Sequence, residues 1–268
     1  MPHNRVTSCA LALLLAQALP AGQATRWHVA AGGRGDGTAA RPFGRVADAL
    51  DVAGPGDEVL IGPGMYREAV RTTRGGRNGA PLVIRASSPG ARPTFMVSGR
   101  VATIAHPDVV IDGLILDGAY GPDYAVRVTS AAARLVLRDI EVRHSGRDCV
   151  DMGAPGDVLI ERARIHHCLD ATGGRRDAHG IVAGAVERLT VRDSEIHTFS
   201  GDALQFDPGR SEPGWTGVRL ERLKLWLEPL PAAANGFAAG VVPGENGIDT
   251  KTPRAGRRSQ LTAVDIEA

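Results

Sequence analysis

Short runs in which apolar and polar residues alternate recur along most of this chain. One set of runs has the form of VVIDGLIL or LTVRDSEI, and its members are residues 109–116, 135–142, 158–165, 189–196, 218–225 and 261–268. A period of two residues is typical of a strand that buries one of its faces. The pattern therefore predicts one strand for each of these runs.

A second set of shorter runs alternates with the first, at residues 124–128, 148–152, 179–183, 202–206 and 246–250. The central apolar residues of successive short runs, from Val126 to Ile248, are 24, 31, 23 and 44 residues apart. A base period in the twenties, lengthened by insertions, is expected of a parallel β-helix whose coils stack on one another. A β-sandwich or an up-and-down barrel is the alternative, but hairpin turns are missing where those folds need them.

The N-terminal part of the repeating region has a different pattern. Residues 45–53 carry apolar residues at helical spacing and are followed by Gly54 and Pro55, whereas residues 58–61 and 65–70 read as strands. A short helix at this place would cover the open end of the β-helix core. We predict a cap and first coils over residues 25–108 and β-helix repeats over residues 109–268. Because no capping segment follows the last run, we expect the sequence to be part of a longer protein.

Residues 1–24 have the pattern of a secretory signal, with His3 and Arg5 before an apolar run and small residues at the end. The run is too short to span a bilayer. We therefore expect a secreted or periplasmic protein without membrane insertion after signal cleavage. Cys149 and Cys168 remain in the mature chain, where a disulfide and two separate buried thiols are both open alternatives.

The charge balance narrows the choice of partners. The chain has 31 Lys and Arg residues against 30 Asp and Glu residues, so its net charge is +1. A strongly basic surface, which drives binding to phosphates, is therefore not expected, and we predict no nucleic-acid partner. We also expect a monomer.

The strand pattern places particular side chains on one outward face. Five apolar residues are expected to form an inward rung, namely Val126, Val150, Ile181, Leu204 and Ile248. The residues beside them then form two outward columns, Arg127, Asp151, Val182, Gln205 and Asp249 in one and Thr129, Gly153, Gly184, Asp207 and Lys251 in the other. A column of turn residues borders the same face, namely Tyr124, Asp148, His179, Asp202 and Asn246. Because neighbouring coils are about 4.8 Å apart, we expect Gln205, Asp207, Asp249 and Lys251 to form one patch. His179 is interpreted as a hydrogen-bonding turn residue rather than a catalytic one.

Several N-terminal segments carry a family resemblance, at residues 35–38, 41–43, 47–50, 55–57, 62–68, 80–86 and 110–114. They resemble the cap and first coils of the pectate-lyase-like right-handed parallel β-helix proteins. The resemblance covers about residues 30–268 and implies an all-β, right-handed parallel β-helix with a short N-terminal capping helix. It is less specific for activity, because the superfamily includes lyases, hydrolases, epimerases and members without known catalysis.

The resemblance and the outward columns together suggest a polysaccharide lyase that acts on an acidic, uronate-containing polysaccharide. Such enzymes remove the proton at C5 of a uronate and expel the 4-linked sugar by β-elimination. A Ca²⁺ ion can neutralise the uronate carboxylate, and a lysine can serve as the base. On this interpretation Lys251 is the base and acts with Asp207 and Asp249. The predicted calcium ligands are Asp151, Asp202, Asp207 and Asp249, and the predicted substrate contacts are Arg127, Gln205 and Trp215, the last as a sugar-stacking platform.

Other functions stay open at this point. Residues 201–205 supply one acid, where calcium-dependent lyases usually carry a tight cluster. Lys251 beside Asp207 and Asp249 is also what an ordinary surface ion pair would look like. The alternatives are a non-catalytic glycan-binding or structural β-helix protein, and a glycoside hydrolase that pairs two of Asp151, Asp207 and Asp249.

Overall fold

The structure, a computed structural model, describes residues 24–171, 177–207, 209, 213–252 and 259–268. Residues 1–23 of the predicted signal segment therefore lie outside the described residues. The described chain winds into a right-handed parallel β-helix, and the named strands pair in parallel. The predicted fold class is confirmed. No helix among the described residues is long and apolar enough to cross a membrane.

Two sheets run along the β-helix. The first has 14 strands and bends along its length into two limbs. One limb contains β1 (Arg26–Val29), β2 (Glu58–Ile61), β5 (Leu82–Ala86), β8 (Val109–Asp112), β11 (Val136–Arg138) and β14 (Gly156–Glu161). The other contains β3 (Met65–Tyr66), β6 (Thr94–Met96), β9 (Ile115–Asp117), β12 (Glu141–Ser145) and β15 (Arg164–Cys168). Three longer strands belong to both limbs, β17 (Glu187–Phe199), β19 (Val218–Trp226) and β21 (Leu261–Glu267).

The second sheet has seven short strands and is called the groove sheet below. Its strands are β4 (Val70–Arg71), β7 (Ala102–Ile104), β10 (Val126–Val128), β13 (Val150–Met152), β16 (Ile181–Ala183), β18 (Leu204–Phe206) and β20 (Ile248–Thr250). Arg127 pairs with Asp151, and the same register continues through Val182 and Gln205 to Asp249. The predicted rung and its first outward column are therefore confirmed. The second column also holds at its far end, where the Lys251 amide donates to the Phe206 carbonyl at 3.0 Å.

The bend between the two limbs corrects the prediction of one strand per long run. Runs 109–116, 135–142 and 158–165 are each divided into two strands, and the other three bend without a break. One residue with positive φ marks the bend in every coil, namely Gly113, Asp139, Arg162, Asp193, Arg222 and Asp265. A left-handed residue turns the backbone sharply, so each run contributes to two faces of the β-helix. Residues 65–70 likewise divide into β3 and β4 because they serve different sheets.

The core and the N-terminal cap follow from the alternation. The inward residues of all three faces form one hydrophobic cluster that includes Phe95, Phe199 and Phe206, all nearly fully buried. The predicted helix is α1 (Val46–Val52), which packs Val46, Ala49 and Leu50 inward. Because no side chain of its own caps α1, the first amide N–H groups donate to the carboxylate of Glu68, at 2.8 Å for Val46.

A disulfide joins Cys149 and Cys168 inside one coil, which settles the alternative that the cysteine pattern left open. Both cysteines are fully buried, and their Cα atoms are 5.4 Å apart. Cys149 precedes β13 of the groove sheet, and Cys168 ends β15 on the adjacent limb. The bond therefore ties the groove sheet to the neighbouring face.

Candidate functional site

A hollow of about 470 Å³ lies on the outward face of the groove sheet, where the predicted columns meet the turn column. Its lining includes Tyr124, Arg147, Asp151, Asp177, His179 and Gln205. Two other hollows, of about 520 and 630 Å³, lie elsewhere on the β-helix and contain none of the predicted site residues. The 470 Å³ hollow is therefore the candidate site, and we call it the groove.

The wall of the groove contains a histidine held between two carboxylates. The Nδ1 atom of His179 lies 2.9 Å from Oδ1 of Asp148, and the His179 amide N–H donates to the same oxygen at 2.9 Å. On the other side, Nε2 of His179 lies 3.3 Å from Oδ2 of Asp202. The three side chains come from successive coils, and each residue is at most 7% exposed. A Cβ atom at Gly201 would lie 2.8 Å from Nε2, so glycine at that position leaves room for the ring.

The two carboxylates decide the charge of His179. Burial lowers the pKa of an imidazole, but the contacts with Asp148 and Asp202 outweigh it and raise the pKa of His179 to about 9. Burial likewise opposes the charge of Asp202, but the ion pair with His179 and the hydrogen bond from Asn246 keep the pKa of Asp202 below its ordinary value. At neutral pH the wall of the groove therefore holds an imidazolium between Asp148 and Asp202.

Hydrogen bonds connect this wall to the predicted patch. Asn246 Nδ2 donates to Oδ1 of Asp202 at 2.8 Å, and Gln205 Nε2 donates to Oδ2 of Asp202 at 3.1 Å. The same Gln205 nitrogen lies 3.2 Å from Oδ2 of Asp249, and Lys251 Nζ contacts that oxygen. The predicted neighbours Gln205, Asp249 and Lys251 are therefore brought together, as the register requires.

Two arginines lie at the end of the groove away from Asp249 and Lys251. Arg147 is part of the lining, whereas Arg127, like Asp249 and Lys251, lies beside it on the groove sheet. Arg127 forms an ion pair with Asp151, which is 7% exposed. The guanidinium of Arg147 lies 4.4 Å from the centre of the Tyr124 ring, and that of Arg127 lies 5.7 Å from it. Arg147 is exposed and has no ion pair with any residue that the structure describes. A cation stacked on a ring is pre-positioned to bind an anionic group.

Comparisons with known proteins agree with this architecture. The sequence matches no protein-family model and no curated protein sequence. Among solved structures, a rhamnogalacturonan lyase has a TM-score of 0.60 at 13% identity, over 88% of this chain and 65% of its own. A lacto-N-biosidase from Eubacterium ramulus has a TM-score of 0.56 at 11% identity, over 75% and 50%. Pectate lyase Pel9A has a TM-score of 0.56 at 16% identity, over 84% and 62%.

The chain has the pectate-lyase-like right-handed parallel β-helix fold. It spans between half and about two thirds of the length of these three structures. Since their identities to this chain are 11–16%, the likeness concerns the fold alone.

In this fold the predicted role of Trp215 as a sugar-stacking platform is wrong. Trp215 is 6% exposed, and its ring packs 5.4 Å from the ring of Phe206 in the core. Its Nε1 donates to the backbone carbonyl of Lys251 at 3.0 Å. A large aromatic ring gains more from joining the core than from lying on the surface, provided that its N–H finds an acceptor. Trp215 therefore supports the backbone under Lys251 and offers no face to a sugar.

The predicted exposure of Asp207 in the patch is also wrong. Asp207 is fully buried and has positive φ, and its amide donates to the carbonyl of Ala183 at 2.6 Å. The residue directly follows β18, where the chain turns away from the groove sheet. Asp207 occupies the predicted column, but its side chain is buried in the protein at this turn. Asp207 cannot contact a ligand in this arrangement.

The predicted calcium ligands are not gathered around one point. Within the described part of the chain, no group of three or more His, Cys, Asp or Glu side chains could hold a metal ion. Asp151 is paired with Arg127, Asp202 contacts His179, and Asp249 contacts Lys251. Calcium needs about six converging oxygen ligands, which these residues do not supply as they stand. A calcium role stays a prediction.

The carboxylate spacing disfavours the hydrolase alternative. Asp151 and Asp249 are three coils apart in the same column, which corresponds to about 14 Å. Glycoside hydrolases place their two carboxyl groups roughly 5–9.5 Å apart. Asp207 is buried and cannot complete a closer pair on the groove face.

Sequence reasoning missed the importance of three residues. Asp148 and His179 were placed in the bordering turn column, and Arg147 was not singled out. The hydrogen-bonding interpretation of His179 is confirmed, but its contacts lie in the wall of the groove. These contacts could have been predicted from the sequence, because Asp148, His179 and Asp202 follow one another in the turn column and stacked residues of opposite charge pair across coils.

Proposed function

We propose that this protein is an exported lyase that cleaves a uronate-containing polysaccharide by β-elimination in the groove. The proposal includes action as a monomer on a single bound polysaccharide strand. The observation that supports it best is the position of Lys251, which contacts Asp249 on the same face as the arginines Arg127 and Arg147. The polysaccharide lyases among the structures with this fold add support at the level of the fold.

A lysine at this position is chemically distinctive in this chain. The sequence contains only two lysines, Lys224 and Lys251, among its 31 Lys and Arg residues. Arginine stays protonated in proteins and is a poor base, whereas lysine can give up its proton and then accept another. Lys224 lies on β19, away from the groove sheet, and pairs with Glu267. Lys251 is therefore the residue on the groove face best suited to remove a proton from carbon.

The proposed reaction uses the groove in the following way. Lys251 follows β20, four coils or about 19 Å from Arg127, so the two arginines bind carboxylates of uronates farther along the polysaccharide and hold the strand in place. At the other end of the strand, Lys251 takes the C5 proton of the reacting uronate as the general base. The electron pair forms the C4–C5 double bond, and the C4–O bond breaks. The departing oxygen takes a proton from water, and the product carries an unsaturated uronate end.

Export is supported by two features. The disulfide between Cys149 and Cys168 suits an oxidising compartment, as outside the cytosol. The pattern of residues 1–24 is that of a secretory signal.

A second candidate function is non-catalytic glycan binding. It is favoured by the contact between Lys251 and Asp249, because a carboxylate stabilises an ammonium group and a general base must be uncharged. In this case the groove would bind an acidic glycan through Arg127 and Arg147 without cleaving it.

The test is an activity assay with a panel of polyuronates, run with added calcium and separately with chelator. The ultraviolet absorbance of unsaturated uronate ends reports the reaction. We expect a rise on at least one polyuronate, and a fall in rate of about 10²-fold or more in Lys251→Ala. Lys224→Ala is the matched control and should keep the wild-type rate.

The outcomes separate the two functions. If no substrate gives the absorbance while calorimetry shows polyuronate binding that Arg147→Ala weakens, the lyase proposal fails and glycan binding stands. A rate that disappears with chelator and returns with calcium would support the predicted calcium role. A rate unchanged by chelator would remove it.

A further inference from the structure

A chain of hydrogen bonds and ion pairs links the buried His179 to Lys251 across three coils. It runs from His179 to Asp202, through Gln205 to Asp249, and ends at Lys251. We propose that His179 is a positioning residue for Lys251, and that its imidazolium acts through this chain as the fixed cation of the groove. This inference rests on the proposed function, because it assigns a role in the same site.

The His179 end of this chain of contacts is held rigidly in place. Asp148 holds His179 twice through one oxygen, from the backbone amide and from Nδ1, both at 2.9 Å. Two contacts to one residue fix both the position and the rotation of the ring. His179 and Asp202 are 6% and 2% exposed, so water does not replace these contacts. Asn246 holds the second oxygen of Asp202 with its side chain at 2.8 Å and its amide at 3.2 Å.

The last link explains how this rigidity reaches the lysine. Gln205 Nε2 and Lys251 Nζ both contact Oδ2 of Asp249. The two donors share one oxygen, so the hydrogen bond from Gln205 reduces the negative charge that Lys251 meets. It also fixes the rotation of the Asp249 carboxylate, and with it the position of the ammonium group. Gln205 itself is held by Asp202, which is held by His179.

The charges of the chain point in the same direction. Asp148, Asp202 and Asp249 contribute three negative charges, and the His179 imidazolium and the Lys251 ammonium contribute two positive ones. The other charged side chains that line the groove are Arg147, Asp151 and Asp177. Without the imidazolium the carboxylates would be less compensated, and Lys251 would be held more tightly as an ammonium. His179 thus supplies a positive charge that keeps Lys251 available as a base.

The two lysines of the chain allow a test that does not need activity. An amine-acylating reagent is applied in chelator at one pH, and mass spectrometry gives the extent of labelling of Lys251 relative to Lys224. The variants are His179→Gln, which removes the cation, and Gln205→Met, which removes the bridging amide without touching Asp148 or His179. His28→Gln, on β1 far from the groove sheet, is the control. Urea unfolding confirms that each variant is folded.

We expect the labelling ratio to fall about threefold to tenfold in His179→Gln, since a unit charge about two coils away is removed. A smaller fall is expected in Gln205→Met, and none in His28→Gln. In the activity assay, both groove variants should lower kcat about tenfold while KM changes less than threefold, because a positioning residue affects the reacting geometry more than binding.

A labelling ratio that is unchanged, or that rises, in both folded variants would overturn the positioning role of His179. This result differs from failure of the proposed function. If wild type gives no unsaturated ends, the lyase proposal fails, but the labelling ratio still reports whether His179 acts on Lys251. If wild type is active and the two variants match its kcat and its labelling ratio, the lyase stands and the positioning role is wrong.

Discussion

Two buried histidines, His179 and His197, lie on neighbouring faces of the β-helix and are held in opposite charge states. His179 on the groove side has a pKa raised to about 9 by its two carboxylate partners, which outweigh burial. On the adjacent limb, burial, His166 and Arg164 lower the pKa of His197 to about 3. Both residues are at most 6% exposed. Burial alone therefore does not set the charge, and the nearest partner does.

The two environments differ in what stacks above and below the ring. The ring of His197 lies between His166, at 4.9 Å, and Trp226, at 4.3 Å, and both pairs are nearly parallel. Register places these three residues on successive coils of β15, β17 and β19. Rings above and below supply dispersion but no negative charge. The Glu228 carboxylate lies 3.7 Å from Nδ1 of His197 but is 51% exposed, so burial prevails and the neutral imidazole is favoured. Neighbouring coils have the same spacing on both faces. The residues stacked on each histidine, together with burial, therefore decide whether its imidazole is charged or neutral.

The largest expected effect comes from removing one carboxylate on the groove side. Asp202→Ala leaves the buried imidazolium of His179 with one carboxylate partner, leaves the Asn246 side chain without its acceptor and leaves Gln205 with Asp249 alone. Breaking a buried ion pair in this way costs about 3–5 kcal/mol. Urea unfolding of wild type and variant at pH 7 measures the change.

A double variant checks the cause of that loss. If His179 without its partner is responsible, His179→Gln should recover part of the stability in the Asp202→Ala background, giving a coupling of at least 1 kcal/mol, as is typical of contacting residues. Additive effects of the two substitutions would contradict the proposed charge state of His179.

The second largest expected effect comes from removing the disulfide between Cys149 and Cys168. Asp148 adjoins Cys149, and His167 adjoins Cys168, so the bond joins the two faces at the point where their histidines differ. With 19 residues of separation, the bond is expected to contribute about 3 kcal/mol. The pair Cys149→Ala with Cys168→Ala should lower the urea midpoint accordingly, and reduced wild type should match it. A difference below about 1 kcal/mol between oxidised and reduced protein would contradict this estimate.

The opposite charge states predict opposite pH dependences. Unfolded histidine titrates near pH 6.5, so below that pH the unfolded chain binds protons that folded His197 does not, and stability falls. His179 behaves in reverse. Its contribution is complete below pH 6.5 and is lost as pH rises through about 9. We expect stability to be highest near pH 6.5 and to fall by about 1–2 kcal/mol on going to pH 5.

Each of two single substitutions should weaken the pH dependence of stability on one side of the maximum near pH 6.5. His197→Phe keeps a stacked ring and should reduce the fall between pH 6.5 and 5 without abolishing it, because burial also lowers the pKa of His167, to about 4, and His167 acts in the same pH range. His179→Gln should flatten the profile between pH 6.5 and 9. A profile that keeps both sides in both variants would show that other groups cause the pH dependence.

Much of the fold could be predicted because it depends on a period of two. The column from Arg127 to Asp249 follows from counting alternate residues, and the structure confirms its register. The bends were missed because a positive φ at Arg162 or Arg222 leaves no mark in an alternating pattern. Glycine and asparagine signal such turns, whereas arginine rarely adopts them.

The candidate site was predictable only in part, for a physical reason. Which residues share a column is a property of the chain, and Gln205, Asp249 and Lys251 were placed together correctly. Whether a side chain faces solvent depends on how the insertions fold over it. Trp215 packs on Phe206 in the core, and Asp207 is fully buried directly after β18. No local pattern encodes this burial.

The smallest effect is expected at a third column, where charges also alternate but face water. At the bend between the limbs, Arg162 donates to Asp139 with both Nε and Nη2, at 2.8 and 2.9 Å. The geometry is as good as that of His179 with Asp148, but the two side chains are 48% and 45% exposed. Solvent screens such a pair, so Arg162→Gln should change stability by about 0.5 kcal/mol or less.

Comparing Arg162→Gln with Asp202→Ala separates the effect of burial on the strength of an ion pair from the effect of its contact geometry. Asp202 and Asp139 both pair with a cation from a neighbouring coil, and they differ mainly in exposure. Urea unfolding of Arg162→Gln at low and at 1 M salt should show a small loss that disappears with salt, since screening acts on exposed pairs. The Asp202→Ala loss should persist in salt. If instead Arg162→Gln destabilised the protein as much as Asp202→Ala does, good geometry rather than burial would account for the strength of the groove-side network.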